Sequence, residues 1–204
     1  MTMLHALSRI LAMNVPVFTT SDAATQLGVA RGNASVVLAR LATSSQVIRL
    51  RRGVWAIKDR VDPLALPEYL TAPFPAYVSL QSALYHHGMI SQVPAVTYAV
   101  SPARTRRFAT PLGTVSIHHV KPSFFFGFEP AGAAGGRLAT PEKALVDFLY
   151  LAPARSKLFR ALPELELPRD FNVRRVRSIV RRVTPRTRQK LVERKLDEML
   201  QARR

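Results

Sequence analysis

TTSDAATQLGVARGNASVVLARLATSSQVIRLRRGVWAIK, residues 19–58, reads as a helix, a tight turn, a second helix and a two-stranded hairpin. Thr20 or Ser21 offers a side-chain oxygen that can accept an orphan backbone N–H at the start of the first helix. Ala23, Ala24 and Leu27 give that helix a short apolar face. Gly28 stops it, because glycine tolerates the left-handed conformation that closes a helix, and Val29 turns inward. In the second helix, expected over 30–42, Ala34, Val37, Leu38 and Leu41 recur at helical spacing and face the core. Arg31, Asn33, Ser35, Val36 and Arg40 are left facing out. Val47, Ile48 and Leu50, then Val54, Trp55 and Ile57, are strand formers on either side of Arg51-Arg52-Gly53, a turn with glycine at its tight position. This is the winged-helix pattern. Such a helix fits a major groove, and a basic hairpin tip reaches a neighbouring phosphate or the minor groove.

Outward from that stretch, Leu4, Leu7, Ile10 and Leu11 share one face of a helix expected over 3–13, and Pro16-Val17-Phe18-Thr19 is a candidate third strand. Four prolines between 61 and 75 mark the domain boundary, because proline blocks both helix and central strand. Ser79–Gly88 reads as a helix. Val93–Val100, Val115–Val120 and Ser123–Phe128 read as strands, with Arg104-Thr105-Arg106-Arg107 in the loop between the first two. Thr140-Pro141 opens another helix through ALVDFLYLA. Further on, Val173, Val176, Ile179, Val180 and Val183 line one stripe of a helix, and Val192, Leu196, Met199 and Leu200 line another after Thr184-Pro185. The fold class is thus α+β. A winged helix-turn-helix domain over 1–60 is followed by a Pro-rich linker (61–75), a mixed α/β domain (76–155) and a basic helical C-terminal tail (156–204).

The 204 residues carry a net charge of +17, which implies an anionic partner, most often nucleic acid. The charge is uneven. Residues 1–62 hold 8 Lys/Arg against 3 Asp/Glu, residues 63–153 hold 6 against 4, and residues 154–204 hold 16 against 6. Neither a signal-peptide order at the N-terminus nor a run of about 18 apolar residues is present, so the expected location is the cytoplasm and no membrane partner is expected. There are no cysteines, which removes disulfides, thiol catalysis and Cys-based zinc sites.

Three stretches carry a family resemblance: VFTTSDAATQLGVARGNASVVLARLATSSQVIRLRRGVWAI, AYVSLQSALYHHGMISQVPAVTYAVS with its SAL-x-x-H-G segment, and RLATPEKALVDFLYL with its PEKAL-x-D segment. In this order, over about residues 15–155, the chain resembles the AbiEi-type antitoxins of phage-defence (type IV) toxin–antitoxin loci. The resemblance implies a winged helix that binds inverted repeats in double-stranded DNA upstream of its own operon. It also implies a C-terminal domain that neutralises a nucleotidyltransferase-like toxin. By position, the DNA-facing residues would be Arg31, Asn33, Ser35, Arg40, Arg51 and Arg52. The arginine-rich tail departs from the family pattern. Its Arg174, Arg175, Arg177, Arg181 and Arg182 place five positive charges in nine residues with no acid among them. They are further DNA-binding candidates on charge alone.

Catalytic and cofactor chemistry is thinly represented. The P-loop spacing and G-x-G-x-x-G are absent, and the glycines of GAAGG are not followed by lysine and serine. His86-His87 and His118-His119 are adjacent pairs, so at most one of each could join a metal site; structural histidines are the expectation, and no metal or cofactor is assigned. The expected function is binding rather than catalysis: a transcriptional repressor and antitoxin that places two copies on inverted repeats, as a dimer or as cooperative monomers. An enzyme-type antitoxin is the alternative. It would modify the toxin, for example by phosphoryl transfer, with Glu142, Lys143 and Asp147 as candidates. A non-specific nucleic-acid-binding protein is the third reading.

Overall fold

A computed structural model describes residues 2–132, 135–152 and 165–201. Helices α1 (Met3–Leu11), α2 (Thr20–Leu27) and α3 (Arg31–Thr43) pack on a three-stranded antiparallel sheet. Its strands are β1 (Val17–Thr19), β2 (Val47–Arg51) and β3 (Val54–Ile57), in the order β1-β3-β2. The third strand expected at 16–19 is therefore β1, paired with β3. The cap of α2 is Thr19, one residue before Thr20 and two before Ser21, the residues expected from the sequence. Thr19 Oγ1 accepts from the Asp22 N–H, and the Asp22 carboxylate accepts from the Thr19 N–H, a reciprocal capping box. Thr20 is instead buried, and its Oγ1 accepts from Trp55 Nε1 at 3.0 Å, tying the helix start to the hairpin.

Gly28 closes α2 at φ +68°, and a Cβ there would meet nothing within 4 Å. The only penalty of a side chain is thus the left-handed backbone, about 1–2 kcal/mol. Gly28→Ala should lower stability by that amount in a urea melt, and Gly28→Asn by less, because asparagine tolerates this region.

The middle region holds α4 (Leu66–Thr71), β4 (Tyr77–Val78), α5 (Leu80–His86), β5 (Thr97–Ser101), β6 (Arg106–Thr110), β7 (Gly113–His119), β8 (Phe128–Ala131), β9 (Gly136–Ala139) and α6 (Pro141–Leu151). The strands form one mixed sheet in the order β6-β7-β5-β4-β9-β8. Side chains alternate across it. Val100 faces a core built with α5 and α6, while Ala99, Val115 and Ile117 face the other way. Three local expectations change. Arg106 and Arg107 belong to strand β6 rather than a loop. The strand expected over Ser123–Phe128 is found only at Phe128, where β8 begins; before it come a 3-10 turn over Pro122–Phe124 and irregular backbone. The β8–β9 pair was not expected at all.

The boundaries between regions are closed by packing. Val47, Trp55 and Ile57 face the N-terminal helices, whereas Ile48, Leu50, Val54 and Ala56 form one cluster with Leu66 and Leu70 of α4 and with Ala99, Val115 and Ile117. The hairpin is therefore a wall between the core of the N-terminal helices and this cluster on the second sheet, to which the proline-rich stretch contributes buried side chains. Helices α7 (Val173–Arg181) and α8 (Arg186–Gln201) likewise bury Val176, Ile179, Val180, Val192 and Leu196 in the core of α5 and α6. That part of the expected tail is built into the second core. Residues 156–164 and 202–204 of the expected tail lie outside the described residues.

Candidate nucleic-acid interface

Helix α3 buries Ala34, Leu38 and Leu41. At about 100° per residue, these span a narrow arc, and the opposite surface is exposed from Arg31 through Arg40. Its centre is formed by Gly32, Val36 and Ala39, all exposed, with Val36 at 52%. Arg31 and Ser35, four apart, flank one side. Asn33 and Arg40, seven apart, flank the other. All four flanking residues are exposed. The middle of this face is thus small or apolar, and the arginines stand to either side. The flanking residues are the DNA-facing candidates of the sequence, which places Val36 outward but not among them. An outward valine on an otherwise polar face was the available signal.

At the hairpin, Arg52 is exposed at the tip beside Gly53 (φ +77°). Arg51 behaves differently. It is partly buried, its Nη2 donates to Ala72 O at 3.4 Å, and its Nε is buried without a hydrogen bond. The two tip arginines therefore do not form one surface pair. Arg49, also exposed, lies over the Trp55 ring at 5.7 Å.

The five arginines of α7 and its C-terminal end separate into two groups. Arg175 Nε lies 3.9 Å from Glu142 Oε2, Arg177 donates to Asp197 at 2.9 Å, and Arg182 stacks on the Phe126 ring at 3.3 Å from its centroid. Arg174 and Arg181 are exposed, seven residues apart and so on one face. In the sequence all five stand as uncompensated positive charge. Two acids distant in sequence and an aromatic ring engage three of them.

The residues proposed for enzymatic chemistry are inside the second core. Lys143 and Asp147 are fully buried and paired with each other. Tyr77 and Ser79 donate to Asp147 Oδ2 at 2.9 and 2.8 Å. The Lys143 ammonium sits among aromatic rings, 3.9 Å from the Phe124 centroid and 5.0 Å from that of Phe126. Burial lowers the Lys143 pKa and raises that of Asp147, each against the pull of the other's charge. Burial, reinforced by Asp147, pushes the Tyr77 hydroxyl well above its ordinary range. Glu142 is also buried and accepts from the Asn172 N–H at 3.1 Å. The three groups split: Glu142 meets Arg175, and Lys143 meets Asp147. His87, His118 and His119 bond within the fold. His87 Nε2 lies 2.7 Å from Ala139 O, and His119 Nδ1 lies 3.1 Å from both Pro102 O and Ala103 O.

Two helices joined through a left-handed glycine, the second with arginines on the flanks of its exposed face, form a helix–turn–helix, a motif that recurs in DNA-binding proteins. Residues 5–58 match the family model described as "Transcriptional regulator, AbiEi antitoxin". The resemblance carried by the first of the three sequence stretches is borne out by that match, and the other two stretches lie beyond the matched residues. No curated protein matches the chain. Among the described residues, no helix is long and apolar enough to cross a membrane.

Proposed function

We propose that the protein is a DNA-binding transcriptional repressor that acts as the antitoxin of its own operon. In this reading α3 enters the major groove of inverted repeats in the promoter. Gly32, Val36 and Ala39 approach the base edges, while Arg31, Ser35, Asn33 and Arg40 reach bases or phosphates on both walls of the groove. Arg52 holds the backbone from the hairpin tip, and Arg174 and Arg181 add contacts by charge. Two copies occupy the two half-sites. The second core serves the neutralisation of a nucleotidyltransferase-like toxin in the cytoplasm. The observation that carries the reading is the exposed face of α3, small at its centre and basic at its flanks, within the segment that matches an antitoxin and regulator family.

The test is fluorescence anisotropy at physiological salt, with DNA from upstream of this gene compared against a shuffled duplex of equal length. A preference of about a thousandfold for the native DNA is expected. Equal binding to both duplexes would leave only charge-driven, non-specific attachment and would overturn the repressor assignment.

A further inference from the structure

A cleft of about 500 Å³ lies where the hairpin meets the second sheet, bounded by the end of β2, the connection from α4 to β4, and the β5–β6 turn. Arg51, Arg104 and Arg106 line it together with Leu70, Phe74 and Phe108, and no acidic residue is among its described lining. Phe74 is 50% exposed. Arg106 lies over the Phe108 ring at 4.9 Å, so charge and aromatic surface are presented side by side. Arg51 Nε is buried there with no hydrogen bond among the described residues. Three guanidinium groups lining one cleft with no acid among them suit an anion, which they would hold with charge-assisted bonds. The volume is that of a small-molecule site with apolar walls and a few fixed polar groups.

We propose that this cleft binds a small organic anion carrying an aromatic or apolar group. Its acid would lie among the three arginines and its ring against Leu70, Phe74 and Phe108. Because Arg51 ends β2, next to Arg52 and Gly53 of the hairpin tip, a ligand held there ties the tip to the second sheet and changes affinity for the operator. That last step rests on the repressor reading, whereas the site itself does not.

The experiment titrates the full chain by calorimetry with 1-naphthyl phosphate, inorganic phosphate and 1-naphthol at constant ionic strength. One saturable site is expected for naphthyl phosphate, with each fragment at least tenfold weaker. Arg104→Gln/Arg106→Gln should weaken naphthyl phosphate at least tenfold. Arg174→Gln/Arg181→Gln, at positions that do not line the cleft, should leave it unchanged. Inorganic phosphate binding as tightly as naphthyl phosphate would reduce the site to a simple phosphate contact and overturn the proposal, as would unchanged binding in Arg104→Gln/Arg106→Gln. Anisotropy with upstream DNA, with and without saturating naphthyl phosphate, reads the coupling. A shift of threefold or more is expected, and no shift overturns the regulatory step. Loss of operator preference without any naphthyl phosphate would instead be a failure of the repressor reading.

Discussion

Lys143→Met should destabilise the protein by about 3–5 kcal/mol, the usual consequence of removing one partner from a buried ion pair. Methionine fills much of the lysine stem's volume and suits the ring-lined site, so the loss is electrostatic rather than a cavity effect. Asp147 keeps the hydroxyls of Tyr77 and Ser79 on Oδ2, but its other oxygen loses its cationic partner. The carboxylate can then escape only by taking up a proton. Its pKa is already raised by burial, and removal of the ammonium raises it further. The folded variant therefore binds a proton that the unfolded chain, titrating near 4, has released. Its stability should rise as pH falls from neutral toward 4, more steeply than that of the wild type. Lys143→Met/Asp147→Asn should be more stable than Lys143→Met alone, since a neutral amide oxygen still accepts from Tyr77 and Ser79. Urea melts at several pH values measure all three. A single variant as stable as wild type would mean that the pair does not hold the core. The double variant also separates structure from chemistry: if it folds and binds DNA yet fails to rescue cells from the toxin, the enzymatic alternative gains.

The location of that pair is where reading the sequence reached its limit. Helix α6 was legible from Thr140-Pro141, and Thr140 does cap it by accepting from the Lys143 N–H. A Lys and an Asp four apart on a helix ordinarily form a solvated surface pair. What buries them is the Phe-rich run after Pro122 and Tyr77, far away in sequence. The same cage explains why the run from Ser123 up to Phe128 is not a strand. Strand propensity of aromatics reflects packing on a half-buried pleat, and here Phe124 and Phe126 pack around an ammonium instead. The helix–turn–helix was readable because its signals are local: helical spacing of small and apolar residues, and one glycine at the turn. The hairpin was readable as two strands, but not as a wall between cores. Ile48, Leu50, Val54 and Ala56, alternating with Val47, Trp55 and Ile57, show that both of its faces are apolar, but not what covers them. The valine stripe of α7 revealed an inward face. The partners of Arg175 and Arg177, which are Glu142 and Asp197 at 33 and 20 positions' separation, carry no local signal.

Arg31→Ala/Arg40→Ala should abolish most of the preference for native over shuffled DNA while leaving the fold intact. Both residues are exposed, and no packing in the core defined by Ala34, Leu38 and Leu41 depends on them. They stand on opposite flanks of α3, so a helix seated in the groove by the proposed geometry uses both at once. A bidentate arginine contact to a base contributes about 1–3 kcal/mol of discrimination, and removing two of them amounts to roughly a hundredfold or more in specificity. If either arginine holds a phosphate instead, affinity falls for both duplexes alike, and the slope of log K against log salt becomes shallower by about 0.9 for each phosphate no longer neutralised. The two roles are thus separable in one experiment, by titrating both duplexes at several salt concentrations. Arg174→Ala/Arg181→Ala offers the contrast: affinity and salt slope should fall equally on native and shuffled DNA, with the preference retained. Unchanged preference together with unchanged affinity and salt slope in Arg31→Ala/Arg40→Ala would remove α3 as the DNA-facing element and shift recognition to another surface of the chain.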